Sequence, residues 1–166
     1  MNNYETHLFF PTPLWKANIS EELSGNNLSI ENLVQECLSI KQKDEGRKKS
    51  NKGENSYQSN DIYFDSKDQK LELCRLMQIV DELVQTIYQS VWQGRIVLDN
   101  SWININGKSA FNALHTHPQC VFSGCIYLKT PLNTGRFNLQ RPLNEEFIYQ
   151  TYGTPKRESI QSFITD

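Results

Sequence analysis

The chain has 166 residues and a mass of 19.3 kDa, enough for one domain with a sizeable core. Its 17 basic and 19 acidic residues give a formal charge of −2, so no positive field attracts nucleic acid, and we expect no nucleic-acid partner. No window approaches the ~18 uninterrupted apolar positions of a membrane span, so we expect no membrane partner. Because the N-terminus shows no secretory-signal pattern, we expect a cytoplasmic protein.

Four cysteines are present, and their spacing fits no disulfide framework. They are Cys37, Cys74, Cys120 and Cys125, and no Cys-x-x-Cys occurs among them. The first two fall on the apolar faces of predicted helices. In a reducing cytosol we expect all four to be buried thiols rather than two disulfides.

Residues 1–94 are predicted to form an extended segment, two helices and a polar loop. Residues 8–15 are extended because Pro11 and Pro13 each remove an amide donor and restrict the preceding residue. A helix is predicted from Ser29, a suitable N-cap, with Glu31 in its first turn. Its apolar positions recur at helical spacing: Ile30, Leu33, Val34, Cys37 and Leu38.

Residues 41–60 are predicted to be a loop, because they contain almost no large apolar residue. We interpret the Arg-Lys-Lys run at 47–49 as a solvated part of this loop in preference to a phosphate-binding patch. Residues 66–69 read as a capping box that begins a long amphipathic helix ending near Gly94. Its core stripe is predicted to be Leu73, Met77, Val80, Val84, Ile87 and Val91.

Residues 95–166 are predicted to form a β-meander, because the apolar period changes from 3.6 to 2 after Gly94. Strands are predicted at 102–106, 121–128, 135–139 and, more weakly, 147–149. No helix intervenes, so the sheet should be antiparallel. The fold class is therefore α+β: a single domain over residues 1–166, with N-terminal helices packed on an antiparallel β-sheet.

Two of the three histidines lie two residues apart, at His115 and His117. On a strand, residues i and i+2 face the same way, so both imidazoles can converge on one ion. Imidazole suits iron, zinc, copper and nickel, so the pair by itself names no metal. A hydrogen-bonded structural pair is the alternative that this spacing leaves open.

Several short motifs surround the histidine pair along the chain. They are Trp-x-Asn-x-Asn-Gly at 102–107, His-x-His-Pro at 115–118, Ser-Gly-x-x-Tyr-Leu at 123–128, Phe-Pro-Thr-Pro-Leu-Trp at 10–15, and the residues at 50–51 and 57–61. In this order they resemble a family of 2-oxoglutarate/Fe(II)-dependent oxygenases of phages and bacteria. The resemblance implies part of a double-stranded β-helix, or jelly roll, with Fe(II) as cofactor and 2-oxoglutarate as cosubstrate. For a phage-encoded member, the location would be the host cytoplasm.

Carried over residue by residue, the resemblance makes His115 the first metal ligand and places His117 where the family usually has a carboxylate. It makes Asn104 and Tyr127 candidates to hydrogen-bond 2-oxoglutarate, although Tyr127 could equally be a core tyrosine. The family continues with a distal histidine and arginine, which this sequence does not match. His7 is the remaining histidine. The arginines at 136, 141 and 157 lie in no matching motif, and Glu145 is a carboxylate that could fill a third position.

Three hypotheses follow. The chain is an oxygenase domain of hydroxylase type, completed by a neighbouring reading frame or another subunit. Alternatively, it is a degenerate, non-catalytic jelly-roll module for binding or interaction. In the third, it is an unrelated β-protein in which both histidines are structural. For the first two, we expect a second copy or a complementing fragment to cover the open sheet edge, and weak Fe(II) binding by the isolated chain. The prime substrate, small molecule or protein, is not identified by the sequence.

Overall fold

The computed structural model describes residues 12–62, 71–140 and 161–163. Within these ranges the chain forms three helices, α1 (Ser20–Gly25), α2 (Ile30–Lys43) and α3 (Glu72–Val91). The same ranges contain six short strands: β1 (Asn51–Lys52), β2 (Ser56–Gln58), β3 (Asn104–Asn106), β4 (Phe111–Asn112), β5 (Phe137–Leu139) and β6 (Gln161–Phe163). The α+β class is confirmed.

The strands pair as three small antiparallel sheets, β1 with β4, β2 with β3, and β5 with β6. The antiparallel prediction is therefore confirmed, and small sheets of this kind are compatible with part of a jelly roll. The predicted meander of consecutive strands is wrong for two of these sheets, because β1 and β2 precede α3 and pair with strands that follow it.

The predicted loop at 41–60 is also wrong, since it contains β1 and β2. Hydropathy did not reveal these strands because their buried side chains are polar and hydrogen-bonded. Tyr57 donates its hydroxyl to Asp44 Oδ2 at 3.1 Å, and Gln58 Oε1 accepts the Lys49 amide at 3.3 Å. Gln58 is only 2% exposed.

Helix α2 begins as predicted. The Ser29 side chain accepts the Asn32 amide at 3.3 Å, and Glu31 lies in the positive first turn. Leu33 and Cys37 are buried, and burial raises the pKa of the Cys37 thiol to about 11. The short helix α1, which precedes α2, was not predicted.

Helix α3 begins at Glu72 rather than at residue 66, and the predicted capping box at 66–69 lies outside the described residues. Leu71 occupies the N-cap position without a side-chain hydrogen bond, so Glu36 of α2 takes over the capping role by accepting the Leu73 amide at 2.9 Å. Desolvation, followed by the nearby carboxylate of Glu72, raises the pKa of Glu36. The helix ends at Val91, close to the predicted end at Gly94.

The hydrophobic core lies mainly between the helices. Its buried members are Leu23, Leu28, Leu33, Cys37, Leu73 and Leu76. Ile103, Ile105 and Leu128 pack against this cluster from the β-rich half. Of the predicted α3 stripe, Leu73 is buried and Val80 packs on the core, whereas Leu76 takes the buried position expected for Met77. Because Ile103 and Ile105 turn inward, Asn104 and Asn106 are exposed, and this alternation was correctly predicted.

Residues 121–128 are not a strand, which corrects the prediction. An aromatic cluster holds this segment instead: the Phe122 ring lies 5.5 Å from Trp15 and 6.0 Å from Trp92, between ring centroids. The neighbouring Cys120 and Cys125 are exposed, so the expectation that all four cysteines are buried holds only for the two on α2 and α3. The predicted strand at 147–149 and the start of the N-terminal segment, residues 8–11, lie outside the described residues.

None of the helices in the described part of the chain combines the length and the hydropathy that crossing a membrane requires.

Candidate metal centre

The histidine pair follows strand β4 rather than lying on it. Strand β4 is fixed to β1 through the Asn51–Asn112 register, and the Ala113 amide extends this by donating to the Ser50 carbonyl at 2.8 Å. Beyond that point, residues 113–117 form no regular secondary structure. The rings of His115 and His117 lie 4.7 Å apart between centroids at an interplanar angle of 70°. The two imidazoles are therefore brought together, as their spacing predicts.

His115 is exposed, and its ring orientation is set by the backbone. Its Nδ1 lies 2.7 Å from the carbonyl oxygen of Ala113. A carbonyl only accepts hydrogen bonds, so Nδ1 carries a proton, and in the neutral tautomer of this ring Nε2 keeps its lone pair. A backbone carbonyl on the second ring nitrogen is the arrangement that orients metal-binding histidines.

His117 is half-buried and lies against Trp102. The two rings are stacked, with centroids 5.6 Å apart and an interplanar angle of 26°. Desolvation lowers the pKa of His117, and neighbouring His115 lowers it further. The imidazole is thus neutral at neutral pH, which is the form that can ligate a metal.

Arg47 and Asp61 complete the surroundings of Trp102. The Arg47 guanidinium lies 5.3 Å from the Trp102 ring centroid, within the range of a cation–π contact. Its Nη2 lies 2.5 Å from Asp61 Oδ1, and this ion pair lowers the pKa of the Asp61 carboxyl. With its side chain only 14% exposed, Arg47 departs from the solvated loop predicted for it, whereas Lys48 and Lys49 are exposed as expected. Nothing in the local sequence pattern marks Arg47 as different.

The two residues predicted to bind 2-oxoglutarate lie in different settings. Asn104 is exposed on strand β3, and its Oδ1 accepts from Asn112 Nδ2 at 3.4 Å. Tyr127 lies in the irregular segment after the histidines and is 54% exposed, so it is neither a buried core tyrosine nor enclosed by a barrel in the described structure. Desolvation of the hydroxyl and the neighbouring Cys125 raise the pKa of Tyr127 to about 12.

The donor set fits a divalent transition metal in part. Two imidazoles at close range suit Fe(II), but among the residues that the structure describes, no group of three or more His, Cys, Asp or Glu side chains could hold a metal. Arg136 is exposed. His7, Arg141, Glu145 and Arg157 lie outside the described ranges, so the predictions that concern them stay predictions.

Comparison with known proteins bears on the same segment. Residues 100–165 match the family model described as "Putative 2OG-Fe(II) oxygenase". The matched range contains Trp102, Asn104, both histidines and Tyr127, and excludes the motifs at 10–15 and 50–61. Neither the curated proteins nor the solved structures gave a match. The family implies Fe(II) as cofactor and 2-oxoglutarate as cosubstrate. The similarity of residues 100–165 to the 2OG-Fe(II) oxygenase family confirms the family resemblance expected from the motifs within that range.

Proposed function

We propose that the protein is a 2-oxoglutarate/Fe(II)-dependent oxygenase of hydroxylase type, with His115 and His117 as iron ligands. The observation that carries this proposal is the pair of adjacent imidazoles, 4.7 Å apart between centroids, within the segment that matches the family. His115 and His117 would hold Fe(II), which when bound would supply the chemistry that converts 2-oxoglutarate and O2 to succinate and CO2 with hydroxylation of a substrate. The protein itself would bind the metal and the cosubstrate, orient them, and shield them from water.

The two ligands are prepared for this role in different ways. The Ala113 carbonyl fixes the tautomer of His115, leaving Nε2 as the donor atom. The Trp102 ring covers His117 and limits its contact with water. His117 does not have to lose a proton to bind a metal at neutral pH, because desolvation lowers its pKa.

We propose that Asn104 and Tyr127, which lie in the segment that matches the family, bind 2-oxoglutarate. The Asn104 carbonyl oxygen is taken by Asn112, so its amide N–H groups are the ones that can donate to a carboxylate. A pKa of about 12 keeps the Tyr127 hydroxyl protonated at neutral pH, and it too can donate. A hydrogen bond to a charged carboxylate is stronger than one between neutral groups.

The described residues do not supply a third ligand, and we propose that the remaining residues of this chain, a second copy or a complementing fragment supplies it together with a cationic partner for the carboxylate. The surface near the histidines supports such a contact, because Leu114 is 65% and Val121 is 68% exposed. We place the protein in the cytoplasm, or in the host cytoplasm if it is phage-encoded. A ferrous cofactor and the exposed thiols of Cys120 and Cys125 suit a reducing compartment.

A second candidate function is a non-catalytic binding or interaction module of the same family. The exposure of His115 and the lack of a third ligand among the described residues favour it. Such a module would retain the fold without oxidising a substrate. The two candidate functions differ in one property: the oxygenase converts 2-oxoglutarate to succinate, and the non-catalytic module does not.

The test is an anaerobic titration with Fe(II) and 2-oxoglutarate, followed by a succinate assay under O2. We expect the charge-transfer absorption of an Fe(II)–2-oxoglutarate chelate to appear in the wild type and to be lost in His115→Ala. Succinate formed by the wild type and not by this variant supports the oxygenase, even at a low rate. Absorption without succinate supports the non-catalytic module. If the wild type and His115→Ala are indistinguishable in absorption, the metal site is refuted.

A further inference from the structure

We propose that Trp102 is a positioning residue that holds the His117 imidazole for metal binding, and that the Arg47–Asp61 ion pair holds Trp102. The inference rests on the proposed function in one respect, namely that His117 is a metal ligand. It assigns a role to three residues that the histidine motif does not include. Two of them lie outside the segment that matches the family.

The backbone on either side of Trp102 is firmly fixed. Before it, Ser101 exchanges hydrogen bonds with Ile62: the Ile62 amide donates to the Ser101 carbonyl at 2.8 Å, and the Ser101 hydroxyl donates to the Ile62 carbonyl at 3.1 Å. After it, the Ser59 amide donates to the Ile103 carbonyl at 2.9 Å, and the Ile103 amide donates to Ser59 Oγ at 3.0 Å. Ser59 has no exposed surface. Trp102 is therefore a rigid support.

Arg47 is fixed to the same framework. Its amide donates to the Gln58 carbonyl at 2.7 Å, at the end of strand β2, and its guanidinium pairs with Asp61. A guanidinium stacks on an aromatic ring in a way that an ammonium does not, because it is planar and weakly hydrated. The Asp61 carboxylate neutralises Arg47, so this cation can contact the indole without repelling a metal dication near the histidines.

His117 needs such a support more than His115 does. The segment that carries it has left the β-ladder, so the backbone alone does not fix the ring. The Ala113 carbonyl orients His115, and the Trp102 stack is the corresponding contact for His117. Contacts that orient metal ligands without touching the metal typically change metal affinity by about 10–100-fold when removed.

The test measures Co(II) affinity by titration calorimetry in matched variants. We expect Trp102→Leu to weaken Co(II) binding about 10-fold, and Trp102→Phe, which keeps an aromatic ring, to stay within about threefold of the wild type. Trp92→Leu is the control, because it removes a tryptophan from the separate cluster around Phe122. Arg47→Met, which removes the charge and keeps an unbranched chain, should weaken binding in the same direction as Trp102→Leu.

Two further readouts distinguish a positioning role of Trp102 from general damage to the fold. In a double-mutant cycle, Trp102→Leu should weaken Co(II) binding no further when His117→Ala is already present, because its effect acts through that ring. In the metal-free protein, the ring-current shift that Trp102 imposes on the His117 ring protons should be lost in Trp102→Leu and kept in Trp92→Leu. The second readout does not depend on the metal.

The outcomes are distinguishable. A Co(II) affinity that is unchanged in His117→Ala overturns the proposed metal site, and with it the inference. An affinity that falls in His117→Ala but not in Trp102→Leu overturns the inference alone. Equal losses from Trp102→Leu with and without His117 also overturn it, because they show that Trp102 acts on the fold in general.

Discussion

Replacing Leu33 by alanine should be among the most destabilising single changes in the helical half. Leu33 has no exposed surface and lies on α2, packed in the core cluster with Leu73 and Leu76 of α3. Leu→Ala at fully buried positions costs about 2–5 kcal/mol, from lost transfer free energy and the cavity that remains. We expect about 3 kcal/mol, a large share of the ~5–15 kcal/mol of a typical domain.

The matched control is Leu38→Ala on the same helix, where 37% of the leucine is exposed. Both substitutions change helix propensity equally. The difference between their losses of unfolding free energy therefore reports the effect of burial alone. We expect the control to cost about 1 kcal/mol, leaving a difference of about 2 kcal/mol. Urea unfolding followed by far-UV circular dichroism measures this difference as a shift of the midpoint urea concentration, with the dependence of the unfolding free energy on urea unchanged. Losses within about 0.5 kcal/mol of each other would refute the placement of Leu33 at the centre of the core.

Gly46→Ala should destabilise the protein by at least about 1–2 kcal/mol, because φ is +72° and the new Cβ would lie 2.6 Å from the Gln58 carbonyl oxygen. Gly25→Ala, which meets open space, should be neutral or stabilising in the same urea assay. The pKa of Asp44 is lowered by the hydrogen bonds it accepts, so its contribution is present above its ordinary pKa of about 4 and lost as pH falls through the lowered value. Wild type and Asp44→Asn should thus differ in melting temperature at pH 7 and converge in strong acid. Cys120 and Cys125 should react with Ellman's reagent in the native protein, and the other two thiols only after unfolding.

A specific result would contradict each of these three predictions. Equal losses from the two glycine substitutions would refute the left-handed turn at Gly46. A difference in melting temperature between wild type and Asp44→Asn that is independent of pH would show that the carboxylate charge is not what stabilises the turn. Four thiols reacting at the same rate in the native protein would place the cysteines of α2 and α3 at the surface.

The parts of the fold that were predicted correctly are those that local patterns determine. Helix α2 begins after Ser29 because an N-cap and an apolar stripe both act within a few residues. Strand β2 was missed because Tyr57 and Gln58 are buried through hydrogen bonds to partners outside the strand, and no local pattern records that. Residues 121–128 looked like a strand because they alternate, but alternation does not supply a pairing partner.

The same distinction between local patterns and tertiary contacts applies to the candidate metal centre. The proximity of the His115 and His117 rings was predictable from their i, i+2 spacing, which on an extended chain places two side chains on one face. The contact of Arg47 with Trp102 was not, because it depends on how β2 and β3 pair, which only the tertiary structure determines. The basic run containing Arg47 has the composition of an ordinary solvated loop.

The most direct test of the central claim is the anaerobic Fe(II) affinity of the wild type, His115→Ala, His117→Ala and the double variant. If both imidazoles ligate one ion, each single substitution should remove most of the binding, by more than about 10-fold, and the double variant should be little weaker than either. This result is expected even if wild-type binding is weak. Losses that are small, or that simply add in the double variant, would contradict a shared iron site at His115 and His117.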